Sequence, residues 1–474
     1  MYKLHLILKY LRKRRIAWVS LIAVMLCTTM VLVVISVMGG WLRMFRESFH
    51  AVSGDVIITS HSLSGFAHYQ EMIDQIEKLP DVDAAVPIIK TFALIRIGTH
   101  SPEAVQVMGY QIDKIGKVNN FATSLYRQYE KPTTDGKKPG EIPPPTFNLM
   151  PEIDYAMFSR AKEKALKYPG MIVGAGVLGI GKDKDGNIKR PVPDMYEIPV
   201  RLEVLGIKED MQSLQGATPT PNFYWIVDDS RTQIWTLDAN TVYVPFDVLQ
   251  KDLGMGKRVL EDQSIDPART TDIQIKAKPG VDLYALKPKI VDIVAQFYPV
   301  VKEELDPPIE VQTWEEVNKT WLGAVEKEKT LVTLLFGMIS IVAIFLIFCI
   351  FYMIVVEKTK DIGIIKSVGA TSSGVAGIFL GYGLAIGLVG AACGLALGYS
   401  IVHNINWLHD TMHRLTGAYM WNPEVYAFDT IPNTMDGHEV FWICAIAVIS
   451  SVLGALIPAM RAAQMNPVEA LRWE

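Results

Sequence analysis

The sequence predicts a membrane-embedded α-helical protein with four transmembrane helices and a large extracytoplasmic α+β domain inserted between helices 1 and 2. Of the 474 residues, 50% are hydrophobic. Four stretches contain no Asp, Glu, Lys or Arg, namely 16–42, 330–356, 367–408 and 440–460. A hydrocarbon core of about 30 Å needs roughly 20 apolar residues at 1.5 Å each, so every one of these stretches is long enough to cross a bilayer.

The basic segment before the first stretch raises the alternative of a cleaved signal peptide. The apolar region of a signal peptide is only about 7–15 residues long and ends at a small-residue cleavage site. Here the apolar run of 16–42 is about twice as long and ends in a Met-Gly-Gly-Trp sequence. The pattern favours an uncleaved membrane anchor.

The distribution of charge predicts the orientation of the chain. Residues 1–15 carry six Lys and Arg and no acid, which places them in the cytoplasm by the positive-inside rule. Alternation then places the basic segment 357–374 inside and the segment 403–439, whose only Lys or Arg is Arg414, outside. We therefore expect an inner (plasma) membrane protein with both termini in the cytoplasm. The net charge of −4 gives no reason to expect nucleic-acid binding.

These patterns together divide the chain into nine regions. They are a basic cytoplasmic N-terminus (1–15), a transmembrane helix (16–42), the extracytoplasmic domain with a stalk (43–329), a second transmembrane helix (330–356), a short cytoplasmic helix (357–371), a third transmembrane helix (375–402), an extracytoplasmic loop (403–439), a fourth transmembrane helix (440–460) and a cytoplasmic C-terminus (461–474).

The inserted domain shows alternating strand and helix patterns. A strand at 55–60, a helix at 69–79 and strands at 84–97 and 104–109 predict a β-α-β-β subdomain of the α+β class. A polar Pro/Gly-rich segment at 131–145 is typical of a surface loop or insertion. Later patterns predict strands at 171–174, 196–207, 223–227, 241–244 and 272–277, and an amphipathic helix at 283–297.

The sequence before the second span predicts a stalk. The charged helical pattern of 314–329 continues into the second span, which predicts one helix projecting from the membrane as a stalk. All four cysteines lie inside the spans, so the inserted domain is expected to fold without disulfides.

The third span contains seven glycines, several of them four residues apart, a spacing that lets helices approach closely. We expect these glycines to pack against neighbouring spans of the same chain rather than to form a dimer interface.

No catalytic or metal-binding pattern emerges. The segment 174–179 fits G-x-G-x-x-G, but it lacks the long βαβ unit of a dinucleotide site. The overlapping phosphate-loop pattern that ends at Lys182 places Asp183 where Ser or Thr would bind magnesium. The histidines of the inserted domain lack metal-type spacing. The chain is therefore expected to contain no ATP site of its own.

The segment after the second span has a distinct pattern. Ile362, Ile365 and Val368 recur at helical spacing, Gly369 suits a left-handed helix end, and Thr371 or Ser372 can cap the next helix. This predicts a short amphipathic helix at the cytoplasmic surface. Such a helix either rests on lipid headgroups or seats in a groove of a soluble partner, and spacing alone does not decide between them.

Residues 357–371 resemble the coupling helix of ABC-transporter permeases of the FtsX/MacB superfamily, which combines an acidic-basic stretch, a D/E-I-G/A-I motif and a Gly-Ala turn. Other parts of the chain are similar to the lipoprotein-releasing LolC/LolE type within that superfamily. Gly39 stands where those permeases usually carry Asn, and the chain is longer than usual around 111–170 and 208–240. The supporting segments are 33–40, 313–329, 431–432, 458–463 and 466–474, together with Tyr426.

The resemblance implies that two permeases, identical or paralogous, pair with two subunits of a separate ABC ATPase. ATP and magnesium would be bound by that ATPase and not by this chain. Its closure would push the short helix and move the exported domain mechanically. The substrate would be a lipoprotein or another amphiphile taken from the outer leaflet of the inner membrane and passed to an extracytoplasmic acceptor. The residues expected to couple to the ATPase are Glu357, Lys358, Asp361, Ile362, Ile364, Ile365, Gly369 and Ala370.

Helical spacing also suggests an apolar cleft for acyl chains between the two permeases, with ordinary helix packing as the alternative. Its expected lining is Val31, Val34, Met38 and Trp41 of the first span and Leu331, Leu334, Leu335 and Met338 of the second.

Three other functions remain open at this point. An FtsX-like regulator of a cell-wall hydrolase shares the superfamily signature, although the C-terminal third argues against it. A MacB-like efflux permease usually carries its ATPase at the N-terminus, where this chain has fifteen residues before the first span. A membrane-anchored exported enzyme is disfavoured by the missing catalytic pattern.

Overall fold

The computed structural model describes most of the chain and divides it into two compact units. One unit, the membrane unit, comprises Met1–Met44, Trp321–Met420 and Thr430–Glu474, and the other, the sheet domain, comprises Phe45–Thr320 and Trp421–Asp429. The residues described are 15–62, 64–97, 102–149, 168–179, 199–204, 220–232, 234–259, 263, 265–298, 300–301, 304–305, 309–417, 421, 430–466, 468 and 470. The basic N-terminus and the Lys182–Asp183 pattern lie outside them.

The described helices and strands have the following bounds. The helices are α1 (Arg15–Val52), α2 (Tyr69–Ile76), α3 (Ile112–Ile115), α4 (Lys131–Thr134), α5 (Trp235–Asp238), α6 (Phe246–Asp252), α7 (Leu283–Phe297), α8 (Trp314–Val317), α9 (Lys319–Glu357), α10 (Thr359–Ser367), α11 (Ser372–His403), α12 (Ile405–Thr416) and α13 (Gly437–Gln464). The strands are β1 (Val56–Ser60), β2 (Val82–Ile97), β3 (Glu103–Tyr110), β4 (Gly170–Gly174), β5 (Pro199–Val204), β6 (Thr220–Ser230), β7 (Thr241–Pro245), β8 (Arg258–Val259), β9 (Ile265–Asp266), β10 (Asp272–Ala277), β11 (Val300–Val301), β12 (Glu304–Leu305) and β13 (Ile309–Thr313).

Four helices of the described residues are long and apolar enough to cross a membrane: α1, α9, α11 and α13. This agrees with the predicted fold class of four apolar helices and a sheet-rich domain. Helices α1, α9 and α13 extend beyond the charge-free stretches that predicted them, because backbone hydrogen bonding continues into polar residues, whereas α11 lies within 367–408. The segment 403–439 was predicted as a loop, and it contains the additional helix α12.

The glycines of α11 bring other helices of the same unit into close contact, as expected. A Cβ at Gly394 would lie 2.8 Å from the carbonyl oxygen of Met25 in α1, a distance that real side chains do not adopt. The Thr29 hydroxyl donates a hydrogen bond of 3.1 Å to the Gly394 carbonyl oxygen. Three turns nearer the start of α11, the Ser451 hydroxyl of α13 donates to the Gly383 carbonyl oxygen at 2.8 Å. Small residues and hydroxyl bonds therefore hold α1 and α13 against α11.

The sheet domain contains the predicted α+β subdomain. Strands β13, β1, β10 and the first half of β2 form an antiparallel sheet, with β1 paired to β10 from Val56 to Thr59. Helices α2 and α7 cover one face of this sheet. Because the strands alternate inward and outward residues, one apolar face meets the two helices. That core includes Val56, Ile58, Met72, Ile76, Ile273, Ile275, Ile290, Val294 and Val311.

The second half of β2 belongs to a closed barrel. Strand β2 is 16 residues long and pairs with β3 on one edge and with β5 on the other. The strand order β2-β3-β7-β4-β6-β5 then returns to β2, so six strands close a ring. Closure leaves no free edge within this ring. The ring encloses a core that includes Val107, Met171, Val173, Leu202, Tyr224, Ile226, Val242 and Val244.

Part of the extra segment 111–170 shares a hydrophobic core with the strands. Residues 131–145 are mostly exposed, as predicted for a surface insertion. The residues before them are not: Phe121 and Leu125 are buried against Tyr243 and Trp225 of the barrel. Backbone N–H groups of Arg127 and Gln128 donate to the Asp228 carboxylate at 2.8 and 3.1 Å. The insertion is therefore fastened to the barrel by packing and by a buried carboxylate.

Asp228 makes this attachment sensitive to pH. Burial raises the pKa of Asp228 to about 7, and the negative charge of Asp229 adds to this increase. The hydrogen bond from the Arg127 N–H acts in the opposite direction and lowers the pKa. Between the ordinary aspartate pKa and about 7, the folded chain binds a proton that the unfolded chain does not. The free energy of unfolding is thus expected to fall as pH rises through this window, by roughly 4 kcal/mol at most.

Hydrogen exchange of the full-length chain, corrected for intrinsic rates, should show this loss as weaker protection of residues 121–130 at pH 8 than at pH 5. Asp228→Asn cannot ionise and should remove the dependence, whereas Asp135→Asn, an exposed residue of the same insertion, should keep it. Equal protection at both pH values in the unaltered chain would contradict the expected coupling.

The predicted stalk helix is interrupted by a single residue. Thr313 accepts a hydrogen bond from the Glu316 N–H, and Glu316 in turn accepts one from the Thr313 N–H, so a capping box starts the single turn α8. Asn318 has φ −96° and ψ 11°, and its side chain donates to the Trp314 carbonyl oxygen at 2.8 Å. The prediction of one helix from residue 314 was therefore wrong, since the continuous helix α9 begins at Lys319.

Candidate coupling surface and helix junction

The short helix α10 lies between α9 and α11, as the sequence predicts. Gly369 follows it with φ +103°, a conformation that strongly favours glycine, and the Ala370 N–H donates to the Ile365 carbonyl oxygen at 3.1 Å. The Thr371 hydroxyl then accepts from the Gly374 N–H at 3.2 Å and caps α11. These contacts determine the turn between the two helices.

The inner face of α10 packs on the membrane unit. Ile362 is only 3% exposed, and it belongs to an apolar cluster with Val375, Phe379 and Ala459. Ile365 is half-buried beside it. The prediction that Ile362 presents its side chain to a partner was wrong, because helices α11 and α13 already cover that side chain.

The outer face of α10 carries the exposed apolar residues. Ile364 is 51% exposed and Val368 is 84% exposed. They are four residues apart and therefore neighbours on one side of the helix. The apolar stripe predicted from Ile362, Ile365 and Val368 is therefore divided between two sides of the helix. Only the side that carries Val368, together with Ile364, is exposed. Spacing alone could not reveal this, since it does not show which side the other helices occupy.

Lys366 ties α10 to the end of α13. Its Nζ donates to the carbonyl oxygens of Ala463 and Met465, at 2.7 Å each. The last carbonyls of a helix lack partners within the helix and carry partial negative charge, so a cation stabilises them. Lys366 was not among the predicted coupling residues, although a lysine in the last turn of α10 was a visible signal. The position of α10 is consequently linked to that of α13.

The remaining predicted coupling residues lie around the start of α10. Lys358 and Asp361 form an ion pair across three residues, Glu357 is exposed, and Ala370 is half-buried. Exposed ion pairs contribute little to stability, so the pair mainly orients the two side chains. Lys358, Asp361 and Ile365 border a small recess. Its other lining residues are Ile362, Val375, Ile378 and Phe379.

The predicted cleft residues divide into two groups. The four of α9 are between 48% and 63% exposed: Leu331, Leu334, Leu335 and Met338. The four of α1 are half-buried: Val31, Val34, Met38 and Trp41. The α9 face is thus open to lipid, acyl chains or another chain.

A second feature, the helix junction, lies in the sheet domain where the end of α1 and the single turn α8 adjoin strand β1. His50 in the last turn of α1 contacts the Asp55 carboxylate, and its ring lies 5.0 Å from that of Trp314 in α8. The backbone N–H of Trp314 donates to the backbone carbonyl oxygen of Asp55 at 3.1 Å. Asp55 also accepts from the Ala277 N–H at 2.8 Å and from Lys276 Nζ at 3.2 Å. One buried aspartate thus connects α1, α8 and the sheet.

The charge of Asp55 is stabilised within this junction. Burial on its own would raise the pKa of Asp55, but hydrogen bonds from His50 and Ala277 and the Lys276 charge outweigh it and lower the pKa. The ionised form therefore stabilises the fold above the ordinary aspartate pKa, and this contribution is lost as pH falls through the folded-state pKa. Asp55 was not singled out by the sequence because its partners come from residues 50 and 276–277.

Comparison with known proteins agrees with this architecture. Residues 333–467 match the family described as FtsX-like permease C-terminal. The chain is 22% identical to a lipoprotein-releasing system transmembrane protein LolC of Xylella fastidiosa, over 98% of both chains. It is 28% identical to a LolC of Neisseria meningitidis over 218 residues, which span 45% of this chain and 52% of the relative.

Among solved structures, the periplasmic region of MacB from Actinobacillus actinomycetemcomitans aligns with 57% of this chain and 94% of its own length, at 8% identity and a TM-score of 0.28. The matched family segment contains most of α9 and all of α10, α11, α12 and α13. Residues 333–467 of this chain are therefore similar to the FtsX-like permease C-terminal family, and 98% of the chain is similar to a lipoprotein-releasing LolC protein.

Proposed function

We propose that this chain is the permease subunit of an ABC transporter whose ATP is bound and hydrolysed by a separate subunit. The observation that carries the proposal is helix α10, whose inner face is buried and whose outer face exposes Ile364 and Val368. An apolar side chain that is buried in a partner's groove contributes about 1.5–3 kcal/mol of binding free energy. This is enough for a moving partner to displace the helix. Lys366 links that helix to α13 through two hydrogen bonds.

The movement has a route towards the sheet domain. Helix α9 runs without a break from Lys319 to Glu357, and α10 begins two residues after it ends. At its other end, α9 follows α8, which belongs to the junction around Asp55. We infer that displacement of α10 rotates or shifts α9 and reaches β1 through Trp314. In this proposal the orientation is the predicted one, with the termini and α10 in the cytoplasm and the sheet domain outside.

The substrate class follows from the similar proteins and from the exposed apolar residues. The LolC relatives are named as transmembrane proteins of a lipoprotein-releasing system. We infer that the chain extracts a lipoprotein, or another amphiphile, from the outer leaflet and passes it to an extracytoplasmic acceptor. The exposed α9 residues Leu331, Leu334, Leu335 and Met338 would contact the acyl chains, facing α1 of a second permease that is either identical or paralogous.

The experiment is affinity purification of the tagged full-length chain from its native membrane. We expect an ABC ATPase to co-purify and vanadate-sensitive ATP hydrolysis to accompany it, while the chain alone neither binds nor hydrolyses ATP. A photo-crosslinker at Met338 should capture an acylated protein. In spheroplasts, an impermeant thiol reagent should label a cysteine at Asp135 and spare one at Thr371.

Different results would reject different parts of the proposal. ATP hydrolysis by the isolated chain would reject the permease assignment. Labelling at Thr371 but not at Asp135 would reverse the orientation. A crosslinker at Met338 that captures only a second permease would reject the acyl-chain cleft and leave the coupling proposal intact.

A further inference from the structure

Helix α12 exposes an apolar side without a protein partner in the described residues. It begins one residue after the membrane helix α11 ends, with Asn404 between them, and none of its twelve residues is buried. At 100° per residue its side chains separate into two arcs. One arc carries Leu408, Met412 and Leu415, whereas Trp407 lies beside Arg414, about 80° from Leu415 around the helix. Leu415 is 81% exposed and Trp407 is 68% exposed.

The opposite arc of α12 is polar. It carries His409, Asp410, His413 and Arg414, with Asp410 and Arg414 exposed. An arrangement of this kind suits a boundary between an apolar and an aqueous phase. Gly417 has φ +70° and ends the helix, so α12 does not extend beyond Thr416.

The first turn of α12 is held beside the end of the membrane helices. Asn406 donates to the Ile431 carbonyl oxygen at 3.0 Å and accepts from the Ile431 N–H at 2.9 Å. Helix α13 starts six residues after Ile431. Nearby, Arg43 of α1 reaches the Thr434 hydroxyl at 3.5 Å. The apolar arc of α12 therefore begins beside the end of α11 and close to the start of α13.

We propose that α12 lies in the interface of the bilayer, with its apolar arc in the acyl-chain boundary and its polar arc in water. Three observations favour lipid over a protein partner: continuity with α11, the tryptophan in the first turn, and the mixed charge of the polar arc. Tryptophan concentrates at membrane interfaces because its ring is amphipathic. Interfacial helices have this division of side chains. The proposal does not rest on transport or on an ATPase.

The test uses the full-length chain with its four native cysteines replaced and one cysteine added, labelled with an environment-sensitive NBD probe. Leu415→Cys reports on the apolar arc and Asp410→Cys, with a side chain 62% exposed, is the matched control on the polar arc. The chain is reconstituted in phosphatidylcholine vesicles with or without nitroxide-labelled lipid. Flotation and a single gel-filtration peak establish that each labelled variant is inserted and folded.

The proposal predicts that nitroxide lipid quenches the Leu415 probe at least threefold more than the Asp410 probe, and that iodide quenches them in the reverse order. Equal iodide quenching at the two positions would place α12 in water and overturn the proposal. A Leu415 probe protected from both iodide and nitroxide lipid would mean that protein covers the arc, which overturns it as well.

Discussion

Ile364→Asp is expected to abolish productive coupling to the ATPase while the chain still inserts and folds. Ile364 is 51% exposed on the outer face of α10, so the substitution removes no buried contact within the chain. In a partner's groove it forfeits about 1.5–3 kcal/mol of apolar burial and adds an unpaired charge. That loss corresponds to at least about a tenfold weaker contact. Co-purified ATPase and vanadate-sensitive hydrolysis measured in nanodiscs provide the two readouts.

Two further variants separate coupling from folding. Ile364→Val keeps an apolar side chain and should retain coupling. Ile362→Asp places a charge at a position that is 3% exposed, and it should lower expression and broaden the gel-filtration peak instead. Full ATPase association and full transport with Ile364→Asp would show that α10 is a lipid-surface helix and would remove the main support for the coupling proposal.

Asp55→Ala is expected to destabilise the sheet domain by about 3 kcal/mol. The change leaves the Ala277 N–H and the Lys276 ammonium without their acceptor, and removing one partner of a buried pair typically costs about 3–5 kcal/mol. It also removes the contact with His50 at the end of α1. Faster hydrogen exchange in residues 50–60 and 272–277 of the full-length chain measures the effect.

An ion pair elsewhere in the same domain supplies the control for this change. Asp81 binds Lys289 Nζ at 2.6 Å, and both side chains are partly exposed. Exposed pairs contribute about 0–1 kcal/mol, so Asp81→Ala should change exchange little. If Asp55→Ala and Asp81→Ala have equal effects, the junction is no more than a surface contact. If Asp55→Ala loosens these residues and ATP is still hydrolysed without substrate release, the junction transmits movement.

Much of the architecture follows from local sequence patterns. The strand at 272–277 and the helix at 283–297 have the predicted bounds in the structure, because alternating apolar residues in the first and helical spacing of apolar residues in the second are local patterns. The four membrane helices follow from their lack of charge, and Gly369 and Thr371 identify the turn after α10 by their own conformational preferences. Such features depend on neighbouring residues only.

Other features were decided by contacts between distant parts of the chain. Closure of the barrel requires β2 to pair with β5, about 110 residues later, and no local pattern encodes that pairing. The break at Asn318, the core of the insertion around Phe121 and the amphipathic helix α12 were not predicted either. Ile362 and Ile364 have the same chemistry and lie two residues apart. Only the packing of α11 and α13 on one side of α10 decides that the first is buried and the second is exposed.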